Sequence, residues 1–387
     1  MTIDLKTINK KFLFLLKIIF VNIFVIYLIL YFSEIYFQII NQSLFKQTQY
    51  YKFKKISEKK ELISMVRPTH LKDIHSNKII PVSGVSNVNT LLCYDDGMPV
   101  VYKSDSNGFD NETEKKNVDV ILIGDSYAAG YCVNKESRFN LQFKKRGIDI
   151  INFGMAGNGP LLEYASLVEY EELFNFDTIV WLFTPDNDYE NFERELKNPI
   201  LKKYLDINFK QNLTNFNKEK DKLYFDYFKK KDRPFREFLR KYHLDLNFLR
   251  KKIQSINLKK NIEQKVKIDK FDTSNSFKTV FKNLKNYAET NDKNLLIVIN
   301  LLAPHILFDN IDSQFKKNLQ EYKLFLNKIG ISYYDFNDYI YDNYNASSIE
   351  QICKKRFIDT KNYYWDHYTQ EGYRLLTEKI SIKIKNM

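Results

Sequence analysis

The sequence predicts an α/β fold built on a parallel sheet, and three observations carry that expectation. Short apolar, β-branched runs recur along the chain, with longer amphipathic stretches between most of them. The clearest run, Val120 to Ile123, is continuously apolar, as expected for a strand covered on both faces. Polar or glycine-rich turns follow the carboxyl ends of several runs, where open α/β sheets bind their ligands. Such alternation of strand and helix implies helices on both faces of the sheet.

In chain order, the first element is not part of that sheet. Residues 12–33 read FLFLLKIIFVNIFVIYLILYFS, with Lys17 the only charge. A helix of that length spans the hydrocarbon core, and Lys17 lies near one end, where its stem can snorkel. No Ala-x-Ala-like cleavage site follows, so the segment reads as an uncleaved transmembrane signal anchor. A buried core helix would need a partner surface that nothing nearby supplies. Lys6, Lys10 and Lys11 in the tail, residues 1–11, favour an inside amino terminus, while Lys46, Lys52, Lys54 and Lys55 pull the other way. The expectation is a single-pass protein of the inner (cytoplasmic) membrane with its main domain periplasmic or otherwise extracytoplasmic. Residues 34–78 are polar and basic, a stalk, and residues 79–387 form the body.

Within the body, residues 79–112 carry turn signals at Ser83-Gly84, Asp95-Asp96-Gly97 and Asn107-Gly108, with a short strand from Met98 to Tyr102. This reads as an antiparallel lead-in. Five strands follow, at Val118–Ile123, Asp149–Phe153, Thr178–Phe183, Asn294–Leu301 and Ile331–Phe336. Helices are expected at Leu161–Leu173, Ser276–Glu289, Ser313–Lys328 and Gln370–Ile384. The third and fourth strands are too far apart for an ordinary crossover, so a basic helical insertion is expected at about 195–270. Phe235, Phe238, Leu239 and Tyr242 have the spacing of an amphipathic helix within it. That insertion reads as a lid over the site, as a surface for anionic lipid, or as a solvated excursion.

Composition narrows the partners. The net charge of +12 invites a nucleic-acid reading, but Lys, Asn, Ile, Tyr and Phe are abundant throughout. The charge is therefore a bias of the whole chain, and export of the body past a membrane argues against nucleic acid. Lipid headgroups and charged glycans remain as anionic partners. Cys93, Cys132 and Cys353 are too few and too scattered for a zinc site, and no metal or other cofactor is expected. In an oxidising compartment the expected disulfide is Cys93–Cys132, since Cys93 precedes the sheet and Cys132 follows its first turn; the alternative is three reduced thiols.

The chemistry gathers where strands end. Val120–Ile123 stops at Gly124-Asp125-Ser126, which would place Ser126 at a helix start, with free N–H groups that favour developing negative charge. Asp125 and Ser126 also suit a simple helix cap. After the second strand comes NFGMAGNGP, residues 152–160, a tight loop whose backbone N–H groups can approach a ligand. After the third comes Thr184-Pro-Asp-Asn-Asp-Tyr189, which brings the Asn187 amide to the same edge. WDHYTQEGY, residues 365–373, sets His367 on a loop before the last helix. Gly124-Asp125-Ser126 lacks the lysine and spacing of a phosphate-binding loop, which argues against a nucleotide hydrolase.

Taken together, GDS, NFGMAGNGP, DNDYEN and a histidine before EGYRLL resemble the SGNH (GDSL) hydrolase superfamily over residues 79–200 and 357–385. The likeness extends to a membrane-anchored bacterial subgroup through Ser104-Asp-Ser-Asn-Gly-Phe109. The resemblance implies a flavodoxin-like three-layer α/β/α fold and ester hydrolysis or acyl transfer. It further implies Ser126 as nucleophile, His367 as general base, and an oxyanion hole from the N–H groups of Ser126 and Gly157 and the Asn187 side chain. The pattern departs at the acid. Two and three positions before the histidine stand Trp365 and Tyr364, leaving Asp366, Asp359 or a backbone carbonyl to orient the imidazole. The function expected is cleavage or transfer of an O-linked acyl group on an envelope glycan or lipid, transfer requiring a membrane partner as acyl donor. The alternative is a catalytically inactive domain that binds glycan or assembles with envelope machinery.

Overall fold

A computed structural model of the 387-residue chain describes residues 5–40, 62–65, 79–95, 98–111, 115–185, 187–231, 238, 239, 242, 244, 246, 249, 250, 275–300, 313–345, 347–357 and 363–387. They fall in two compact units, residues 1–55 with 232–267, and residues 56–231 with 268–387.

In the larger unit, β1 (Ile63–Ser64) pairs parallel with β2 (Asn89–Asp95), and β2 pairs antiparallel with β3 (Met98–Lys103). These form the lead-in. The main sheet comprises β4 (Val120–Gly124), β5 (Ile150–Asn152), β6 (Thr178–Phe183), β7 (Asn294–Ile299) and β8 (Ser332–Asp335). All four of its pairings are parallel, and the spatial order is β5-β4-β6-β7-β8. Numbered within that sheet the order is 2-1-3-4-5, the flavodoxin-like winding. Its direction of winding reverses between β4 and β6, and the crevice at their carboxyl ends is the usual ligand site of such sheets.

The three layers follow from residue parity. Ile121, Ile123, Ile179, Trp181, Phe183, Ile297 and Ile299 join one buried core. Their neighbours Val120, Leu122, Val180, Leu182, Leu296 and Val298 join the other. Successive strand side chains point to opposite faces, so each strand feeds both cores. Against the first face pack residues of α3 (Pro160–Tyr170), α6 (Asn275–Thr290) and α7 (Ser313–Ile329). Against the second pack residues of α2 (Phe139–Lys144), α8 (Phe336–Asn343) and α9 (Gln370–Lys385). Burial on both faces is why Val120–Ile123 and Ile179–Phe183 run uniformly apolar, whereas the edge strand β8, SYYD, is only partly covered.

The turn after β4 and the insertion both differ from expectation. No helix starts at Ser126: residues 126–132 form consecutive turns, then a short 3-10 turn, Lys135–Ser137, leads into α2. Gly130 and Cys132 have positive φ, 64° and 59°, and left-handed residues interrupt a helix. The Cys93–Cys132 disulfide, as expected, ties this turn to β2. Cys353 is a free, buried thiol.

The insertion is also divided. After α4 (Asp188–Glu195), the chain forms α5 (Asn217–Lys231), which belongs to the larger unit. There Lys220 is fully buried and donates to Ser83 Oγ at 3.0 Å and the Asn107 carbonyl at 2.6 Å. Burial pushes its amine down to about 8. Residues 232–267 fall instead with residues 1–55. That smaller unit contains α1 (Leu5–Ile40), whose stretch Leu13–Tyr36 has mean hydropathy 2.8 and is a candidate membrane span. Most of the stalk expected at 34–78 lies outside the described residues.

Candidate active site

The site is built from the β4 turn outward. Asp125 is fully buried beneath it, and its carboxylate accepts from the Tyr127 N–H at 2.8 Å, closing a local turn. The Ala129 N–H reaches the Asp125 carbonyl at 3.0 Å, and the Tyr131 N–H reaches the Ser126 carbonyl at 3.0 Å. Ser126 thus sits at the tip of a tight turn. No hydrogen bond engages its own N–H among the described residues.

The glycine loop docks on this turn through Asn152 at the end of β5. Its side chain donates to the Ala128 carbonyl at 2.7 Å and accepts from the Gly154 N–H at 2.8 Å. Gly154 must be glycine: a Cβ there would lie 2.6 Å from both the Ala128 carbonyl carbon and the Ala129 nitrogen. Gly157 has φ of 83°, a conformation that favours glycine. Asn152 is held by Asn111, which accepts from its N–H at 2.8 Å and donates to its carbonyl at 3.1 Å. Asn111 in turn donates to Asp105 at 2.9 Å. Asp105 also accepts from the N–H groups of Asn107, Gly108 and Phe109. The SDSNGF stretch is therefore a buttress to the second strand of the sheet.

From β6 the chain turns at Thr184, and Asn187 donates through Nδ2 to the Asp125 carboxylate at 2.9 Å. That carboxylate accepts only, so it fixes the amide with nitrogen inward and leaves the second N–H of Nδ2 for a ligand. Burial raises the Asp125 carboxyl above its ordinary range, opposed by hydrogen bonds from Asn187, Tyr127 and Thr184 and by the charge of His367. Below it, burial and then the Asp125 charge push Glu163 well above the carboxylate range. Trp181 Nε1 donates to the Glu163 carboxyl, which opposes that rise.

His367 arrives on a strand rather than the expected loop. β9 (Cys353–Phe357) and β10 (Tyr363–Tyr368) form an antiparallel pair, as their aromatic residues favour. Trp365 pairs with Lys355 and Tyr368 with Cys353, so β10 carries one extra residue between them, a β-bulge at 366–367. Simple alternation of neighbouring side chains fails there. His367 Nε2 lies 2.6 Å from Ser126 Oγ. The imidazole sits between Tyr127 and Tyr131, with ring centroids at 4.6 and 4.7 Å. The Asp366 side chain and the whole of Asp359 lie outside the described residues.

The structure thus joins Ser126 to His367 and Asn187 to Asp125, and it docks the Gly157 loop on the serine turn. Sequence reasoning read Asp125 only as a cap and passed over Thr184, Asn300 and Tyr368. Thr184 donates to Asp125 at 3.3 Å, Asn300 donates to Thr184 at 3.2 Å, and the Tyr368 hydroxyl donates to Asn300. Asn300 follows the observed end of the fourth sheet strand at Ile299, but it lies inside the strand expected at Asn294–Leu301, so no sequence signal marks it. Among the described residues no cluster of His, Cys, Asp or Glu is suited to a metal ion.

No protein-family model and no curated protein matches the chain. Solved structures similar to it include a member of the lipolytic protein G-D-S-L family from Veillonella parvula, at 13% identity and TM-score 0.36, covering 70% of this chain and 99% of that one. Another is AlinE4, an SGNH-hydrolase family esterase, at 12% identity and TM-score 0.28, covering 71% of this chain and 98% of that one. At such identities and TM-scores these are similarities only. On its 2-1-3-4-5 parallel sheet, covered by helices on both faces, the chain has a flavodoxin-like three-layer α/β fold.

Proposed function

We propose that the chain is a serine ester hydrolase. The 2.6 Å contact between His367 Nε2 and Ser126 Oγ carries this reading. A base at hydrogen-bond reach of a hydroxyl is what activates serine at neutral pH. His367 Nε2 takes the Ser126 proton as Oγ attacks the ester carbonyl carbon. The carbonyl oxygen gains negative charge, met by the N–H groups of Ser126 and Gly157 and the second Nδ2 hydrogen of Asn187. His367 then returns the proton to the departing alcohol, leaving an acyl-serine. Water, deprotonated by His367, releases the acid; a sugar hydroxyl in its place would make the reaction acyl transfer. Asp366 is proposed to orient the imidazole across the bulge.

The candidate span supports a membrane-anchored enzyme, and Lys6, Lys10 and Lys11 before it favour an amino terminus inside and a body outside the cytoplasmic membrane. Its substrates would then be acylated envelope glycans or lipids. Transfer would further need a membrane partner to present the acyl donor, since one helix offers no path for it.

The test is labelling of the full chain in membranes with a fluorophosphonate probe, comparing wild type, Ser126→Ala and His367→Ala. Labelling of wild type that is lost in both variants is expected. A folded wild type that takes no label would overturn the enzyme in favour of a catalytically silent glycan-binding or assembly module.

A further inference from the structure

The stretch at 232–267 shares a compact unit with α1, and the contacts between the two are specific. The Tyr27 hydroxyl donates to the Leu244 carbonyl at 2.8 Å. The Leu249 N–H donates to the Glu34 carboxylate at 2.7 Å. Tyr27 and Glu34 lie two helical turns apart on one face, about 10 Å along the axis. Burial on α1 matches them. Residues 13–26 are exposed all round, whereas Tyr27, Leu28, Tyr31 and Ile35 are half-covered and Glu34 is fully buried. The covered stripe is therefore confined to the carboxyl-terminal part of Leu13–Tyr36.

The docked stretch has an outward face. The Tyr242 N–H donates to the Phe238 carbonyl at 3.2 Å, which sets the two side chains one helical turn apart. Their rings pair at 4.9 Å. Both are open to the surroundings, Phe238 at 51% and Tyr242 at 47% exposure, while Leu239, Leu244, Leu246 and Leu249 are half-buried. An exposed aromatic pair is costly in water but suits the boundary between headgroups and acyl chains. Arg236, Arg240, Lys241, Arg250, Lys251 and Lys252 outnumber Glu237 and Asp245 in the same stretch.

We propose that Phe238 and Tyr242 form a second membrane contact, on a stretch seated against α1 through Leu244 and Leu249, in the leaflet at the carboxyl-terminal end of α1. Phe238 and Tyr242 enter the lipid, and the excess of basic residues in the sequence around them suits an anionic membrane. This rests on the reading of α1 as a membrane span. A segment bonded to Tyr27, roughly 10 Å deeper than Glu34, must share the depth of the residues it touches. The backbone groups that such depth would leave without water are in part met by the anchor itself.

Spin labels on Phe238→Cys, Tyr242→Cys and, as a reference on the span, Phe20→Cys test this in the full chain. The protein is reconstituted in vesicles of phosphatidylcholine and phosphatidylglycerol, and each label's accessibility to oxygen and to an aqueous nickel chelate is compared. Oxygen preference at positions 20, 238 and 242 is the expected result. Oxygen preference at 20 with nickel preference, or shielding from both, at 238 and 242 overturns the proposal and leaves the span intact. Nickel preference at 20 overturns the span itself. Tyr27→Phe is expected to raise the mobility of the label at 238, and an unchanged spectrum counts against the docking. Omitting phosphatidylglycerol is expected to shift the 238 and 242 labels toward nickel, and no shift overturns the role of the basic residues.

Discussion

The Tyr368 hydroxyl donates to the side-chain oxygen of Asn300, one residue past the end of β7. Through Asn300 and Thr184 the residue next to His367 is tied to Asp125, the residue next to Ser126. Two parts of the site far apart in sequence are thereby held in one buried network. Tyr368→Phe leaves the Asn300 oxygen without that donor at a cost of about 1–3 kcal/mol. A lower melting temperature and slower probe labelling of Ser126 are expected. Unchanged labelling by a destabilised variant would separate the network from the placement of His367.

In the proposed mechanism Asn187→Ala removes an oxyanion donor and leaves Ser126 and His367 unchanged. Turnover of a p-nitrophenyl ester is expected to fall by about 10²–10³, in kcat rather than KM. A loss confined to KM would mean that Asn187 binds the ground state only.

Asn152→Ala breaks the tie between the glycine loop and the serine turn. Two hydrogen bonds to buried backbone groups are lost, at about 1–3 kcal/mol for each group left unsatisfied. Denaturant unfolding is expected to show a lower midpoint. Activity should fall with it, because the Gly157 N–H is carried on the same loop.

The Glu195 carboxyl, pushed up by burial to about 8, receives the N–H groups of Gly159, Leu161 and Leu162 at the start of α3. Between about 4.5 and 8 the folded protein holds a proton here that the unfolded chain has lost. Its contribution to stability is therefore full below the lower value and declines as pH rises toward 8. Thermal melts from pH 5 to 8 should show this fall, and Glu195→Gln should flatten it at lower overall stability. A slope that persists in Glu195→Gln assigns it to another group.

The Cys93–Cys132 bridge closes a separation of 39 residues. Loop-closure entropy for that length is about 4 kcal/mol, an upper figure for a real disulfide. Cys93→Ser combined with Cys132→Ser should lower the melting temperature and reproduce the effect of reductant on wild type. An equal effect of reductant on the double variant would discount the bridge.

The sheet was legible because strands covered on both faces leave uninterrupted apolar runs; Thr178–Phe183 matches β6 residue for residue. The meeting of Ser126 and His367 was anticipated from the order of turns and the motifs they carry, and the Cys93–Cys132 pair from an oxidising compartment and the positions of the two cysteines around the first strand. What the sequence hid depends on contacts distant along the chain. The bulge at 366–367 arises from pairing with β9, and the left-handed Gly130 and Cys132 replace an expected helix by turns. The second role of Asp125, holding the Asn187 amide, needs β4 and β6 side by side. The split of the insertion after Lys231 has no compositional mark, since both parts are basic.

That split changes how the chain can be cut. The unit holding α1 is assembled from residues 1–55 and 232–267. Trimming the amino terminus alone would strip Leu244 and Leu249 of their partners and bare the apolar faces that α1 covers. A soluble body calls for two excisions, the first 55 residues and the 232–267 stretch, with Lys231 rejoined to Ile268 through a short polar bridge. The two-cut protein should stay monodisperse without detergent, whereas the single-cut protein should self-associate.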